Sequence, residues 1–275
     1  MHNQLCKNCG QQFTGKFCNN CGEKLYKDND RSLPKLFHEA FHFLTHFEGT
    51  FLTSLKTIIT APGKISLDYC NGIRKKYFKP LSFFLLLIIL YLLFPFFEGL
   101  NMKLHFYTQK DYYGANAAKK VAELMQARGI SFAELEKIFQ QKGEKISKFL
   151  LFIIIPFMAM FTWLLAFKKR KFYFDHFIFS TEMASFFILW GFLLFPFLIF
   201  ITRWLTEVMI IRAEWQTGVV VVSAQIIFTA IASRRFFSFK RWYSILFASL
   251  YIIALFVFMK FIYKFILFNI AIRMV

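Results

Sequence analysis

The chain has 275 residues, 57% of them hydrophobic and 21% aromatic, and 34 lysines and arginines against 16 acidic residues give a net charge of +18. A mean hydropathy of +0.47 and 41 phenylalanines exclude an ordinary soluble domain, whose apolar share is about 45–50%. The cations cluster beside apolar runs, which points to spans in a lipid bilayer flanked by charge at an anionic surface, and away from nucleic acid as a partner.

The chain opens on cysteine pairs and lacks a short apolar run behind a basic start, so no cleavable signal peptide is expected and the first span should act as an uncleaved anchor. Cys6-Lys7-Asn8-Cys9-Gly10 and Cys18-Asn19-Asn20-Cys21-Gly22 are two copies of one knuckle, C-x-x-C-G. Two intervening residues let both thiolates of a pair turn toward one ion, and the glycine after each pair suits a positive φ. Four thiolates complete a closed tetrahedral Zn²⁺ site with Zn–S near 2.3 Å. The residues between Cys9 and Cys18, with Phe13, Gly15 and Phe17, predict a small hairpin. Residues 1–27 cannot bury a core large enough to fold alone, so the metal must supply the folding energy, about 10–16 kcal/mol in zinc-finger peptides. A disulfide pair and an iron–sulfur site are the alternatives at this spacing. The reading adopted is a structural zinc ribbon held by Cys6, Cys9, Cys18 and Cys21, with no open position for chemistry. Cys70 stands apart as an ordinary thiol.

Residues 28–80 form a cytosolic amphipathic and basic segment. Ser32 suits an N-cap and Pro34 a first helical turn. Phe37, Phe41, Leu44, Phe51, Leu55 and Ile58 recur near helical spacing, Gly49 weakens the middle, and Pro62-Gly63 ends the pattern. Such a helix lies along the membrane surface or packs under the bundle. Within it, His38-Glu39-Ala40-Phe41-His42 matches the H-E-x-x-H pattern in which two histidines bind zinc and the glutamate acts as base. His46 lies about 12 Å from His38 along a helix, too far to complete the site at metal–nitrogen bonds of about 2 Å. The preferred reading is three histidines on the flank of an interfacial helix; metal binding without catalysis and a protease site are the alternatives. A strip bearing Arg74, Lys75, Lys76 and Lys79 follows.

Here the residues resemble a known family. The cysteine ribbon, Phe47-Glu48-Gly49-Thr50-Phe51 with Thr53, Leu55 and Lys56, then Pro62-Gly63-Lys64, Tyr69, Gly72, Arg74, Tyr77 and Pro80 are similar to a family of uncharacterised bacterial membrane proteins classed as a domain of unknown function. The resemblance covers the first third of the chain, departing at Leu81-Ser82, where the family has an aromatic or basic pair. It implies zinc and a bacterial inner membrane, and it carries no activity.

Residues 81–275 form the membrane domain, with five runs near the ~20 residues a span requires: 81–97, 149–167, 177–201 (with a kink expected at Pro196), 215–233 and 243–259. The fourth is the most polar, with Ser223, Gln225 and Thr229. Five crossings place the basic clusters at 74–79, 168–171 and 234–241 on one side, as the positive-inside trend requires. The N-terminus is then cytosolic and the C-terminus extracytoplasmic, with residues 261–275 an amphipathic tail at the outer surface. Residues 101–148 predict an outer helical hairpin. Its first helix, 115–128, stops at Gly129, and a Ser131-x-x-Glu134 capping box opens a second with Phe132, Leu135, Ile138 and Phe139 on one face. A lid over the bundle and a partner or ligand site both suit it. Glu182, preceded by Asp175 and His176, reads as an interfacial ion pair with the cations at 168–171 or as a functional acid. Gln225 reads as an interhelical hydrogen bond.

The expected fold is thus an all-α polytopic membrane protein of about five transmembrane helices with a small N-terminal zinc ribbon. Three functions are ranked on it. A membrane-anchored interaction or regulatory protein docking a cytosolic partner through its ribbon comes first. A transporter or lipid-handling bundle follows, weakened by sparse intramembrane polarity and the lack of an internal repeat. A metallopeptidase using His38, Glu39 and His42 comes last.

Overall fold

The computed structural model describes residues 4–25, 32–34, 50–94, 102–109, 114–206 and 214–275. The H-E-x-x-H segment with His38, Glu39, His42 and His46 lies outside these residues. After two short strands, Gln4–Leu5 (β1) and Gln12–Phe13 (β2), come α1 (Thr50–Thr60), α2 (Lys64–Cys70), α3 (Pro80–Leu93), α4 (Leu104–Tyr107), α5 (Gly114–Arg128), α6 (Phe132–Leu150), α7 (Ile154–Ala166), α8 (Tyr173–Ile188), α9 (Phe195–Thr206), α10 (Glu214–Phe237), α11 (Arg241–Val257) and α12 (Lys264–Arg273). The chain divides into two compact units, one of Met1–Phe96 with Ile155–Ile252 and one of Phe97–Ile154 with Ile253–Val275.

In the first unit β1 pairs antiparallel with β2, Gln4 opposite Phe13, and Phe17 bridges to Lys24. Strand pairing therefore closes over each cysteine knuckle. This replaces the hairpin expected between Cys9 and Cys18, because the turns of the ribbon are the knuckles themselves. α8 is the central helix of this unit: every residue from Phe174 to Ser185 is buried, which requires protein on all faces. Around it pack α1, α2, α3 and α10. Phe179 stacks on Phe236 at 5.2 Å and Phe186 on Phe228 at 3.8 Å. Gln225 donates from Nε2 to the Met183 carbonyl at 3.2 Å, the interhelical bond the sequence suggested.

Among the described residues, three helices are long and apolar enough to cross a membrane: Tyr173–Leu205, Trp215–Phe237 and Arg241–Arg273; Phe132–Ser147 with Leu151–Ala166 makes a fourth if that bent pair is one crossing. The run expected at 81–97 is present as the 14-residue α3, about 21 Å long against a hydrocarbon core of about 30 Å. Residues 95–97 lie outside the described set. Pro196 produces no break. With no N–H to give the Phe192 carbonyl, it follows a π turn at Leu189–Leu194, and the helix runs on to Leu205. The exposed tryptophans Trp163, Trp204, Trp215 and Trp242 all sit near ends of these apolar helices, where indole rings favour the membrane–water interface.

The second unit has its own core. Gly129, at φ +63°, ends α5, and the capping box of Ser131 and Glu134 opens α6. Leu135 and Phe139 are fully buried, together with Leu104, Tyr107, Phe268 and Ala271. Tyr107 stacks on Phe268 at 5.2 Å and meets Phe139 edge-on at 5.7 Å. Tyr263 donates to the Ser147 carbonyl at 2.7 Å. The expected surface tail at 261–275 is thus no separate feature. Nothing in the sequence stops the helix after Met259, so it continues through a π turn at Phe258–Tyr263, and α12 packs on the apolar face of the hairpin.

Candidate metal centre and the strip beside it

The two knuckles repeat each other bond for bond. In the first, Gly10 N–H donates to the Cys6 carbonyl and Cys6 N–H to the Gln11 carbonyl, both at 2.9 Å. In the second, Gly22 N–H donates to the Cys18 carbonyl at 2.7 Å and Cys18 N–H to the Glu23 carbonyl at 2.8 Å. Both turns need a left-handed residue, and Gly10 and Gly22 supply it at φ +75° and +65°. This brings Cys6, Cys9, Cys18 and Cys21 together with all four sulfurs within 4.8 Å of one another. Sγ of Cys6 lies 3.5 Å from that of Cys21, and Sγ of Cys9 3.6 Å from that of Cys18. Four sulfurs at 2.3 Å from one ion stand about 3.8 Å apart, whereas a disulfide requires about 2.05 Å. The donor set fits a tetrahedral metal ion. Without one, burial pushes the Cys6 thiol up to about 11, while the Gln11 N–H draws Cys9 down to about 6.

Glu23, the residue after the second knuckle's glycine, is 5% exposed. Its Oε2 accepts the backbone N–H of Arg74 at 3.1 Å and of Lys75 at 2.9 Å. In return, Lys75 Nζ donates to the Cys21 carbonyl at 3.2 Å. The ribbon is therefore seated on the basic strip. The guanidinium of Arg74 is also engaged: it lies 4.6 Å from the Tyr69 ring centroid and 5.7 Å from that of Phe174, and Nε donates to the Tyr69 carbonyl at 3.4 Å. Arg74 and Lys75 are thus both engaged inside the protein.

The strip is folded by polar contacts with distant helices. Gly63 takes φ +75°, and a Cβ there would lie 2.6 Å from the carbonyl oxygen of Ala232 in α10, so the residue is required both for its conformation and for its closeness. Its N–H donates to Glu182 Oε1 at 2.8 Å, and the Ser66 N–H donates to Oε2 at 2.7 Å. The Ser66 hydroxyl donates to the same carboxylate. Arg235 donates to the Pro62 carbonyl. The expected ion pair of Glu182 with the cations at 168–171 is thus corrected. Arg170 pairs with Asp175 at 3.4 Å, and Glu182 caps the first turn of α2, where three donors can satisfy a buried carboxylate. Tyr77 donates to Asp68 at 2.6 Å, and burial with that hydrogen bond pushes its phenol above the usual range. Burial likewise raises the Cys70 thiol, which makes it inert as a nucleophile.

The sequence pointed to the four cysteines, Gly63 and Arg74. It assigned no contact to Glu23, Ser66, Asp68 or Arg235. For Glu23 a signal was present: it stands at the same place in the second knuckle as Gln11 in the first, so a carboxylate where the repeat has an amide marks a change of task.

Residues 48–92 match the model of a family described as protein of unknown function (DUF3667). This stretch carries α1, α2, the strip and α3, and agrees with the resemblance read from the residues; the cysteine ribbon lies outside it. No curated protein and no solved structure matches the chain.

Proposed function

We propose that the chain is a five-span protein of a bacterial inner membrane, in which a structural zinc ribbon, fixed on the strip, offers a rigid cytosolic surface to a protein partner. The observation that carries this is the seating of Glu23 on Arg74 and Lys75. A module held by two charge-assisted bonds and a return bond from Lys75 presents one defined face. On the ribbon Leu5 and Phe17 are 66% and 57% exposed, and Lys7 and Lys16 are exposed as well. Exposed apolar side chains with lysines close by in the chain suit a partner segment that is both acidic and apolar. The ion would be zinc, since four thiolates in a closed tetrahedron select it among common divalent metals. It would hold the two knuckles together and leave no position for a substrate.

Parity supports five crossings. Pro62 and Gly63 touch Arg235 and Ala232, so an even number of crossings separates them. Tyr107 touches Phe268, which sets the same condition there. If the three long helices cross, the second condition requires α7 to cross as well, and the first then requires the run that begins with α3 to cross. Positive charge assigns the sides: residues 1–79 and the clusters at 168–171 and 234–241 inside, residues 101–148 and Val275 outside. Fusions of a compartment-specific reporter after residues 110, 170, 210 and 275 should read outside, inside, outside, outside; an inside C-terminus would remove one crossing.

The function itself is tested by whole-protein complementation of a deletion strain. A chain lacking residues 1–25, or carrying Leu5→Asp with Phe17→Asp, should insert normally and fail to complement. Full complementation by the truncated chain would put the activity in the helices and move the transporter reading to first place.

A further inference from the structure

We propose that the ribbon is a metal-set latch on the strip. With the four thiolates gathered on one ion, Glu23 is held where it receives the Arg74 and Lys75 amides; when the ion leaves, the ribbon releases them. The inference rests on reading the cysteines as a metal site and needs no external partner. Three observations carry it. First, Glu23 follows Cys21 by two residues, and its own carbonyl is fixed by the Cys18 N–H, so the carboxylate's position is set by the second knuckle. Second, among the described residues the ribbon's own core is Cys6, Phe13 and Cys18, with Cys21 and Leu25 packed against it. Three of those five side chains are the ligands themselves, so emptying the site removes what orients Glu23. Third, the strip beyond the contact is held independently of the ribbon, through Glu182 on Gly63 and Ser66, Tyr77 on Asp68 and the Phe78 N–H on Ser54. The strip can therefore lose the ribbon and stay folded. The two states differ in a defined way: metal-loaded, with the Arg74 and Lys75 amides covered, or metal-free, with them and the Lys75 ammonium open to solvent at the point where the family segment enters α3.

The test is hydrogen exchange on the full-length protein in lipid nanodiscs, read at single amides, with metal content measured in parallel. Stripping the ion with a chelator should speed exchange of the Arg74 and Lys75 amides by at least about tenfold, the effect of losing one charge-assisted hydrogen bond. Amides of residues 66–70 should be unchanged. Glu23→Ala should give the same acceleration while retaining one metal per chain, because its side chain ligates nothing, and Glu23→Gln, which keeps an acceptor, should fall between. Acceleration in Glu23→Ala without any on chelation would show that the contact ignores the metal and overturn the latch. So would unchanged exchange in both, or opening of residues 66–70 together with 74 and 75. A preparation with no metal at the cysteines would instead overturn the reading beneath it.

Discussion

The ribbon and the strip are both built around glycines at positive φ, yet they are held by different means. In the ribbon's first knuckle, a Cβ on Gly10 would meet nothing within 4 Å; there the turn alone requires glycine, and the ligand set lies close in the chain, Cys6 meeting Cys21 across 15 residues. In the strip, Gly63 faces the Ala232 backbone, and the bonds that fix it span 119 residues to Glu182 and 173 to Arg235. The first is organised by a ligand set that the local sequence spells out, the second by a fold that must already exist. One should therefore fail locally when broken, and the other should fail with the membrane unit.

Removing a ligand is the largest such break. Cys18→Ser should abolish metal binding, and with it folding energy of the order of 10 kcal/mol, far more than the ribbon's small core could replace. Elemental analysis should find no bound metal, and limited proteolysis should cut within residues 4–25, while the thermal unfolding of the helical part in detergent stays within a few degrees of wild type. A large fall in that unfolding temperature would mean that the ribbon also supports the helices.

Gly63→Ala reverses the pattern. The alanine would hold a left-handed conformation at a cost of about 1–2 kcal/mol, and its Cβ would press on backbone that cannot swing aside, at about 1–3 kcal/mol more. The helical part should lose about 2–5 kcal/mol of stability in denaturant titration while metal content stays at one per chain. Unchanged stability would show that α2 and α10 separate freely.

This contrast also explains what the sequence could convey. The cysteine knuckles, the capping box of Ser131 and Glu134, and the stop at Gly129 are local, so spacing and residue type were enough. Glu182 read as a partner for residues 168–171 because those cations are near it in the chain; its true donors, Gly63 and Ser66, are near only in space. Residues 261–275 read as a surface tail because alternating polar and apolar positions look alike at a membrane surface and on a protein core. Only the placement of Phe268 against Tyr107 and Phe139 distinguishes the two.

The smallest expected effect concerns the two thiols of the first knuckle. Metal binds thiolates, so each thiol protonated in the free ribbon must release its proton, and affinity rises with pH. Cys6, pushed up to about 11 by burial, is protonated throughout the neutral range and contributes about one decade of affinity per pH unit, or 1.4 kcal/mol. Cys9, drawn down to about 6 by the Gln11 N–H, is already a thiolate above that pH and adds nothing there. As pH falls through 6, Cys9 takes up a proton that metal must then displace. The slope of log affinity against pH should steepen there by about one. Competition with a chromophoric chelator between pH 5 and 8 measures this slope. A slope that stays constant through pH 6 would mean that the two thiols titrate alike, and that the Gln11 N–H does not distinguish Cys9 from its partner.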